Sequence, residues 1–178
     1  MTTSIYTNIT ADGSIEPVSL TDAKAWMRYA PTNEDDMITD LIRTARRILE
    51  KHTSLSFVRK TIEALIDVQD EWVDLPHGPT VSVTTVVDRS TFGSPLTLTD
   101  GTDYELVGKM LRFSKKGAML VTYEAGYVSL PDDLRTDIFK LVAWLFQNRG
   151  IQFNAEDKLR KTPEWQALAS HNYAKVVI

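Results

Sequence analysis

The feature that most constrains this chain is a change of hydrophobic period, made twice. From Ser19 to about Lys51 apolar residues recur at helical spacing; from about Phe57 to Tyr127 they alternate with polar ones or gather in β-branched runs; from Pro131 to Gly150 the helical spacing returns. A chain written this way places antiparallel strands between helices, an α+β arrangement. Its 178 residues, 43% of them apolar, suffice for one core, because a chain of this size buries roughly 70% of the surface its unfolded state exposes.

The first helical stretch, SLTDAKAWMRYAP, offers Ser19 as N-cap with Asp22 at the third position, an apolar face through Ala23, Trp26 and Met27, and Pro31 to close it. In TNEDDMITDLIRTARRILEKHTS the pair Asn33 and Asp36 repeats the capping pattern, and Met37, Ile38, Leu41, Ile42, Ala45, Ile48 and Leu49 make the buried face. Its acids, Glu34 to Asp36, come first, and its bases, Arg43, Arg46, Arg47 and Lys51, come later, the order that suits a helix dipole.

In the alternating region Ile62, Ala64, Ile66 and Val68 share one face while Thr61, Glu63 and Asp67 share the other, which predicts a half-buried strand. Trp72, Val73 and Leu75 lead into the turn Pro76-His77-Gly78-Pro79, TVSVTTVVD follows, and short apolar runs at hairpin spacing end in Met119–Tyr123. Residues 1–16 are polar, with a turn signal at Asp12-Gly13 and no period, and read as an arm. The expected organisation is therefore an N-terminal arm 1–16, a core 17–150 with a bundle of helices 19–30, 34–52 and 131–149 and an inserted β region 57–127, and a C-terminal segment 151–178.

The last core helix carries more apolar surface than a small domain needs. Leu134, Ile138, Leu141, Val142 and Leu145 form one stripe, and Phe139, Ala143 and Phe146 widen it to an arc of roughly 200°, twice the minimum for facing a core. Thr136, Asp137, Lys140, Gln147 and Asn148 make a narrow polar remainder, in which Trp144 stands alone. Two readings stay open: the helix is central to its own domain, or part of the arc meets another copy. After Gly150 a polar run leads to a short helix capped by Thr162-Pro163-Glu164, with Trp165, Leu168 and Ala169 on one side, and to a strand-like end at Val176–Ile178. That is too little to form a core of its own.

Catalytic and ligand-binding patterns are missing where the function classes would need them. His52, His77 and His171 stand in no metal-ligand spacing, and the chain has no cysteine, hence no disulfide, thiolate zinc site or cysteine nucleophile. There is no phosphate-binding glycine loop, no G-x-S-x-G elbow and no G-x-G-x-x-G, so no cofactor is expected. Asp132-Asp133 reads as a pair of first-turn acids rather than a catalytic pair. The run Arg43, Arg46, Arg47, Lys51, Arg59, Lys60 is interrupted by Glu50, and the net charge of −4 speaks against a chain made to grip nucleic acid. No run of apolar residues approaches a membrane span and MTTSIYTNITADGS lacks the marks of a secretory signal, so a soluble chain made in the cytoplasm, without a membrane partner, is expected.

The order of these elements resembles that of the head-to-tail connector proteins of long-tailed bacteriophages, also called adaptor or head-completion proteins. The resemblance runs from about Pro17 to Gly150, and its best signatures are the strand entry L-P-x-x-P with V-x-x-V between Leu75 and Val86, and the junction V-x-Y-x-A-G-Y then P-x-x-L-R between Val121 and Arg135, closed by Asn148-Arg149. It implies a structural protein without enzymatic activity. Such proteins form a ring, typically of twelve copies, beneath the portal of a DNA-filled head, and carry the next neck or tail component, a stopper or tail terminator. DNA passes through the ring without specific binding. Under that resemblance Phe139, Val142, Trp144 and Phe146 are expected at subunit contacts, and Trp165, Leu168, Tyr173, Val176, Val177 and Ile178 at docking on the portal or a neighbour. The alternatives are a DNA-binding accessory factor in genome packaging, which needs a coherent basic face, and a small enzyme with an unrecognised carboxylate site, which needs Asp or Glu gathered with a base such as His77.

Overall fold

The computed structural model describes residues 3–13 and 15–148. In chain order the elements are β1 (Thr3–Ala11), α1 (Leu20–Met27), α2 (Asp35–Thr53), β2 (Lys60–Val68), β3 (Trp72–Asp74), β4 (Thr80–Asp88), β5 (Leu96–Thr97), β6 (Tyr104–Val107), β7 (Met110–Phe113), β8 (Gly117–Ala125) and α3 (Asp132–Gln147), a mixed α+β fold. They divide into two units. Among the described residues, one comprises the chain up to Ile15 together with Ser54–Val128; the other comprises Glu16–Thr53 together with 129–148.

In the β unit, a five-stranded antiparallel sheet has the order β1-β2-β8-β4-β5, and a three-stranded one the order β3-β7-β6. The alternation read in β2 decides which side is buried: Ile62, Ala64, Ile66 and Val68 are inside and the residues between them are half-buried. Ile62, Ile66, Val121 and Tyr123 of the larger sheet share one apolar core with Val73, Tyr104, Leu111 and Phe113 of the smaller. Tyr123 is fully buried and donates its hydroxyl to the carbonyl of Pro76. Burial, and secondarily the charge of Asp74, pushes that hydroxyl far above its ordinary pKa, so it stays a donor.

Two local devices hold the sheet. At the end of β8, Gly126 has φ +114°, and its N–H donates to the Pro79 carbonyl at 2.9 Å; a Cβ at this position would overlap the Val58 carbonyl oxygen. At the end of β4, Asp88 Oδ1 accepts from the Ser90 N–H at 2.8 Å, Asp88 Oδ2 lies 3.5 Å from Lys115 Nζ, and Ser90 Oγ accepts from the Ala118 N–H at 3.1 Å. The hydrogen bonds from Ser90 hold the Asp88 carboxyl below its usual range, with Lys115 adding to the effect.

The N-terminal arm expected over residues 1–16 contains a strand instead: β1 pairs with β2, from Thr3 opposite Asp67 to Ala11 opposite Thr61. The register shifts between Ser4 and Tyr6 and between Ile9 and Ala11. Those irregularities break the period of two, which is why the sequence shows none there.

In the helical unit α1, α2 and α3 pack on one another. Ser19 caps α1 as read, its Oγ accepting from the Asp22 N–H at 3.0 Å. Pro31 is not what ends the helix. Arg28 adopts φ 53°, and the N–H groups of Arg28 and Tyr29 close onto the Ala25 and Lys24 carbonyls at 3.2 and 3.0 Å. Asn33 does not cap α2, which starts at Asp35; its side chain accepts from the Tyr29 hydroxyl at 3.4 Å. Ile38, Ile42, Ala45 and Leu49 form the buried stripe of α2.

Arg46, read as one of the dipole-complementing bases, is 1% exposed. Its Nε and Nη2 meet the two carboxylate oxygens of Glu16 at 2.7 and 3.1 Å, and its Nη1 meets Glu50 Oε2 at 3.0 Å. The fork geometry of a guanidinium permits both partners at once. Asp137, read on the polar side of α3, is buried, with Lys140 Nζ 3.3 Å from its carboxylate. Among the described residues no helix is long and apolar enough to cross a membrane. The further short helix read after Thr162 lies outside the described residues.

Candidate functional site

Most of the apolar arc of α3 is buried or half-buried. Leu134, Ile138, Leu141 and Val142 are buried, and Val142 has no exposed surface at all. Phe139 stacks on Trp26 of α1, with ring centroids 5.4 Å apart and planes 14° from parallel, while the Arg135 guanidinium sits over the Phe139 ring, 5.6 Å from its centre. Arg135 is held by Asp22, Nη2 to Oδ2 at 2.7 Å. Further along α3, Phe146 meets Tyr29 edge-on at 5.1 Å. Trp144 is half-buried, and its carbonyl accepts from both the backbone N–H and the side-chain amide of Asn148, at 3.0 and 2.8 Å.

The four α3 residues expected at subunit contacts therefore fall into two pairs. Phe139 and Val142 are buried within the chain, whereas Trp144 and Phe146 keep part of their surface. Beside the second pair a groove of about 360 Å³ is lined by Trp26, Met27, Tyr29, Ala143 and Phe146. Trp26, 48% exposed, is the most accessible apolar side chain of the groove, whose lining also includes Arg28 and Gln147. Its place on the apolar face of α1 was legible, but not that it lies at the edge of that face. Trp165, Leu168, Tyr173, Val176, Val177 and Ile178, expected at a docking surface, lie outside the described residues.

A second exposed aromatic went unread. Phe92 is fully exposed in the loop between β4 and β5, and Leu96 in β5 is 57% exposed. The available signal was a large aromatic set among turn residues in Ser90-Thr91-Phe92-Gly93-Ser94.

The remaining candidates resolve into local roles. Asp133 Oδ1 accepts from the Leu134 N–H at 2.9 Å, so this acid caps the first turn of α3. Arg43 pairs with Asp40 at 3.1 Å and Arg46 with Glu16 and Glu50. In the other unit Arg59 pairs with Glu124 at 2.5 Å and Lys60 with Asp12 at 3.5 Å. Carboxylates thus answer four of the six bases that a phosphate-binding face would need. His77 lies in the turn before β4, where its carbonyl accepts from Ser56 Oγ at 2.9 Å; His52 is exposed at the end of α2. Among the described residues no three His, Asp or Glu side chains are placed to hold a metal ion. A hollow of about 250 Å³ at β6 and β7 is lined by Glu71, Asp103, Glu105 and Arg112. Arg112 Nε is bound to Glu71 at 2.6 Å, and no histidine enters the lining.

No family model matches the sequence, and no curated protein matches it. Solved structures do. The fold aligns with a chain in the neck of an empty gene transfer agent (GTA) particle with C6 symmetry, at TM-score 0.72 and 17% identity over 93% of this chain and 94% of that one. A chain in the virion of the native particle gives TM-score 0.68 and 18% identity over 93% of each chain. A chain in the native particle's neck with C12 symmetry gives 0.59 and 17% over 91% and 92%. At these identities the likeness is one of fold.

Proposed function

We propose that this chain is a structural protein of a phage-like virion neck, without catalytic activity, and that twelve copies form a ring joining the capsid portal to the tail or next neck component. The observation that supports this most strongly is the end-to-end likeness of fold to chains of a particle neck, which leaves neither protein with a large unmatched part. The neck structures were computed with C6 and C12 symmetry, which is consistent with ring components and supports a ring. The paired bases and the net charge of −4 favour a channel through which DNA slides over one that holds it.

In this reading the subunit contact on the helical unit belongs to Trp26, Trp144 and Phe146, while Phe139 and Val142 support it from beneath. The segment 151–178 docks on the portal or a neighbouring copy, with Trp165 as its aromatic anchor. Light scattering on the purified chain, alone and mixed with portal-bearing heads, tests the ring: a mass of about twelve chains is expected in at least one condition. A chain that stays monomeric in both overturns the proposal. Deleting the residues after Gly150 is expected to abolish binding to the heads, and unchanged binding would remove the docking role from that segment.

A further inference from the structure

We infer that the five-stranded sheet runs on from one copy to the next, the outer edge of β1 pairing antiparallel with the Thr80–Thr85 edge of β4 in the neighbouring copy. This rests on the ring reading and names the surfaces that make it.

The two edges are open in complementary ways. Among the described residues β1 ends the sheet, and β4, at the other side, is covered only at its far end: β5 meets Val87 and Asp88, and the Leu98 N–H reaches the Val86 carbonyl at 2.8 Å. From Thr80 to Thr85 β4 has β8 on one side and, among the described residues, no strand on the other. Exposed edges are normally blunted by lysine, proline or a very short strand. Here β1 is nine residues long, TSIYTNITA, and neither it nor TVSVTT of β4 contains a charge or a proline. Tyr6 and Ile9 of β1 are 56% and 45% exposed, and Val81 and Val83 of β4 are half-buried, so the edges can cover apolar surface for one another. The register shifts in β1 leave Tyr6–Ile9 regular against Leu65–Ile62, which sets the pairing at the middle of the strand.

Strand parity fits this partner. β1, β2, β8 and β4 alternate in direction, so β1 and β4 of one copy are antiparallel. Carrying the copy forward along the sheet keeps those directions, and the new pair is antiparallel like every other pair in the sheet. An odd number of strands from β1 to β4, in place of these four, would have forced a parallel pair between copies. Because the two edges are different surfaces, their pairing is head-to-tail, the kind of contact that closes rings rather than two-fold dimers.

The chain has no cysteine, so engineered pairs report cleanly. Cysteine is placed in β1 (Tyr6→Cys, Asn8→Cys or Ile9→Cys) together with β4 (Ser82→Cys, Val83→Cys or Thr84→Cys), and full-length double variants are oxidised on portal-bearing heads. Within one copy the two edges are three strand spacings apart, about 14 Å, too far for a disulfide, so every bridge joins two copies. At least one combination is expected to give a ladder of covalent multimers on non-reducing gels, and each single variant none. Rings of normal mass with no ladder in any of the nine combinations would overturn the sheet pairing and leave the ring standing. Bridged dimers from a β1 cysteine alone would assign the edge to a two-fold partner and overturn it as well. A chain monomeric in every condition overturns both readings.

Discussion

Phe139 of α3 stacks on Trp26 of α1, and the guanidinium of Arg135 lies over the same Phe139 ring. Only 8% of it is exposed, while Trp26 stays half open, so the outward-looking partner of this stack is the tryptophan.

Replacing Phe139 with alanine is expected to cost about 3–5 kcal/mol, the range for deleting a buried aromatic. Trp26→Ala should cost less, because half its surface is already in water. Urea unfolding followed by far-ultraviolet circular dichroism measures both. Phe146→Asp is expected to leave the monomer's helical signal intact and reduce ring formation; equal losses of helicity in Phe139→Asp and Phe146→Asp would show that both residues serve the interior alone.

Arg46→Ala removes the guanidinium bound to the Glu50 carboxylate, whose side chain is 7% exposed, and to that of Glu16 at 21%, for which Arg43 lies no nearer than 3.9 Å. Removing one member of a buried charge cluster costs about 3–5 kcal/mol. Arg43→Ala, whose side chain is 47% exposed, should change stability by less than about 1 kcal/mol. Thermal unfolding of the two variants side by side checks the contrast.

Gly126→Ala is expected to destabilise by more than about 3 kcal/mol, since the backbone is held in a region that suits glycine and the added methyl meets the Val58 carbonyl. Gly101, which also has positive φ, has nothing within 4 Å of a built Cβ, so Gly101→Ala should carry the backbone strain alone and cost less.

The Asp88 turn gives a pH dependence of known sign. The carboxyl's folded pKa is depressed, chiefly by the hydrogen bonds from Ser90. Its contribution to stability is therefore present above the unfolded value of about 3.9 and is lost as the pH falls through the folded value. Asp88→Asn should be less stable than the native chain at pH 7, and the gap in Tm should narrow steadily below about pH 4. A gap that is constant down to pH 2 would mean that the charge does not matter.

The legible parts of the fold are those where one face decides everything. β2 was readable residue by residue because it lies between β1 and β8, with one face in the core, so burial follows the period of two without interruption. The α2 stripe from Ile38 to Leu49 was readable for the same reason at helical spacing. β1 was not, because an edge strand with two irregularities spreads its apolar residues out of phase. Arg46 and Asp137 were misplaced because a charged letter signals solvent, and only the partner's position, Glu16 or Lys140, tells when it does not. The division of α3 between buried and half-exposed residues was beyond the sequence: Phe139 and Phe146 are the same letter on one arc, and only Trp26 and Tyr29, more than a hundred residues upstream, separate them.

The order in which the elements leave the ribosome has a consequence of its own. β1 belongs with strands that follow two helices, and those helices belong with α3, which follows all the strands; Arg135 reaches back 113 residues to Asp22. Each unit is thus interrupted by the other, and no single cut of the chain yields either whole. The helical unit cannot close until α3 emerges; until then α1 and α2 have only each other to pack on within it. A nascent chain stalled before Pro131 would lack the helix on which α2, with Ile38, Ile42 and Leu49 on its buried face, packs most, so the emergence of α3 is the step that completes this unit.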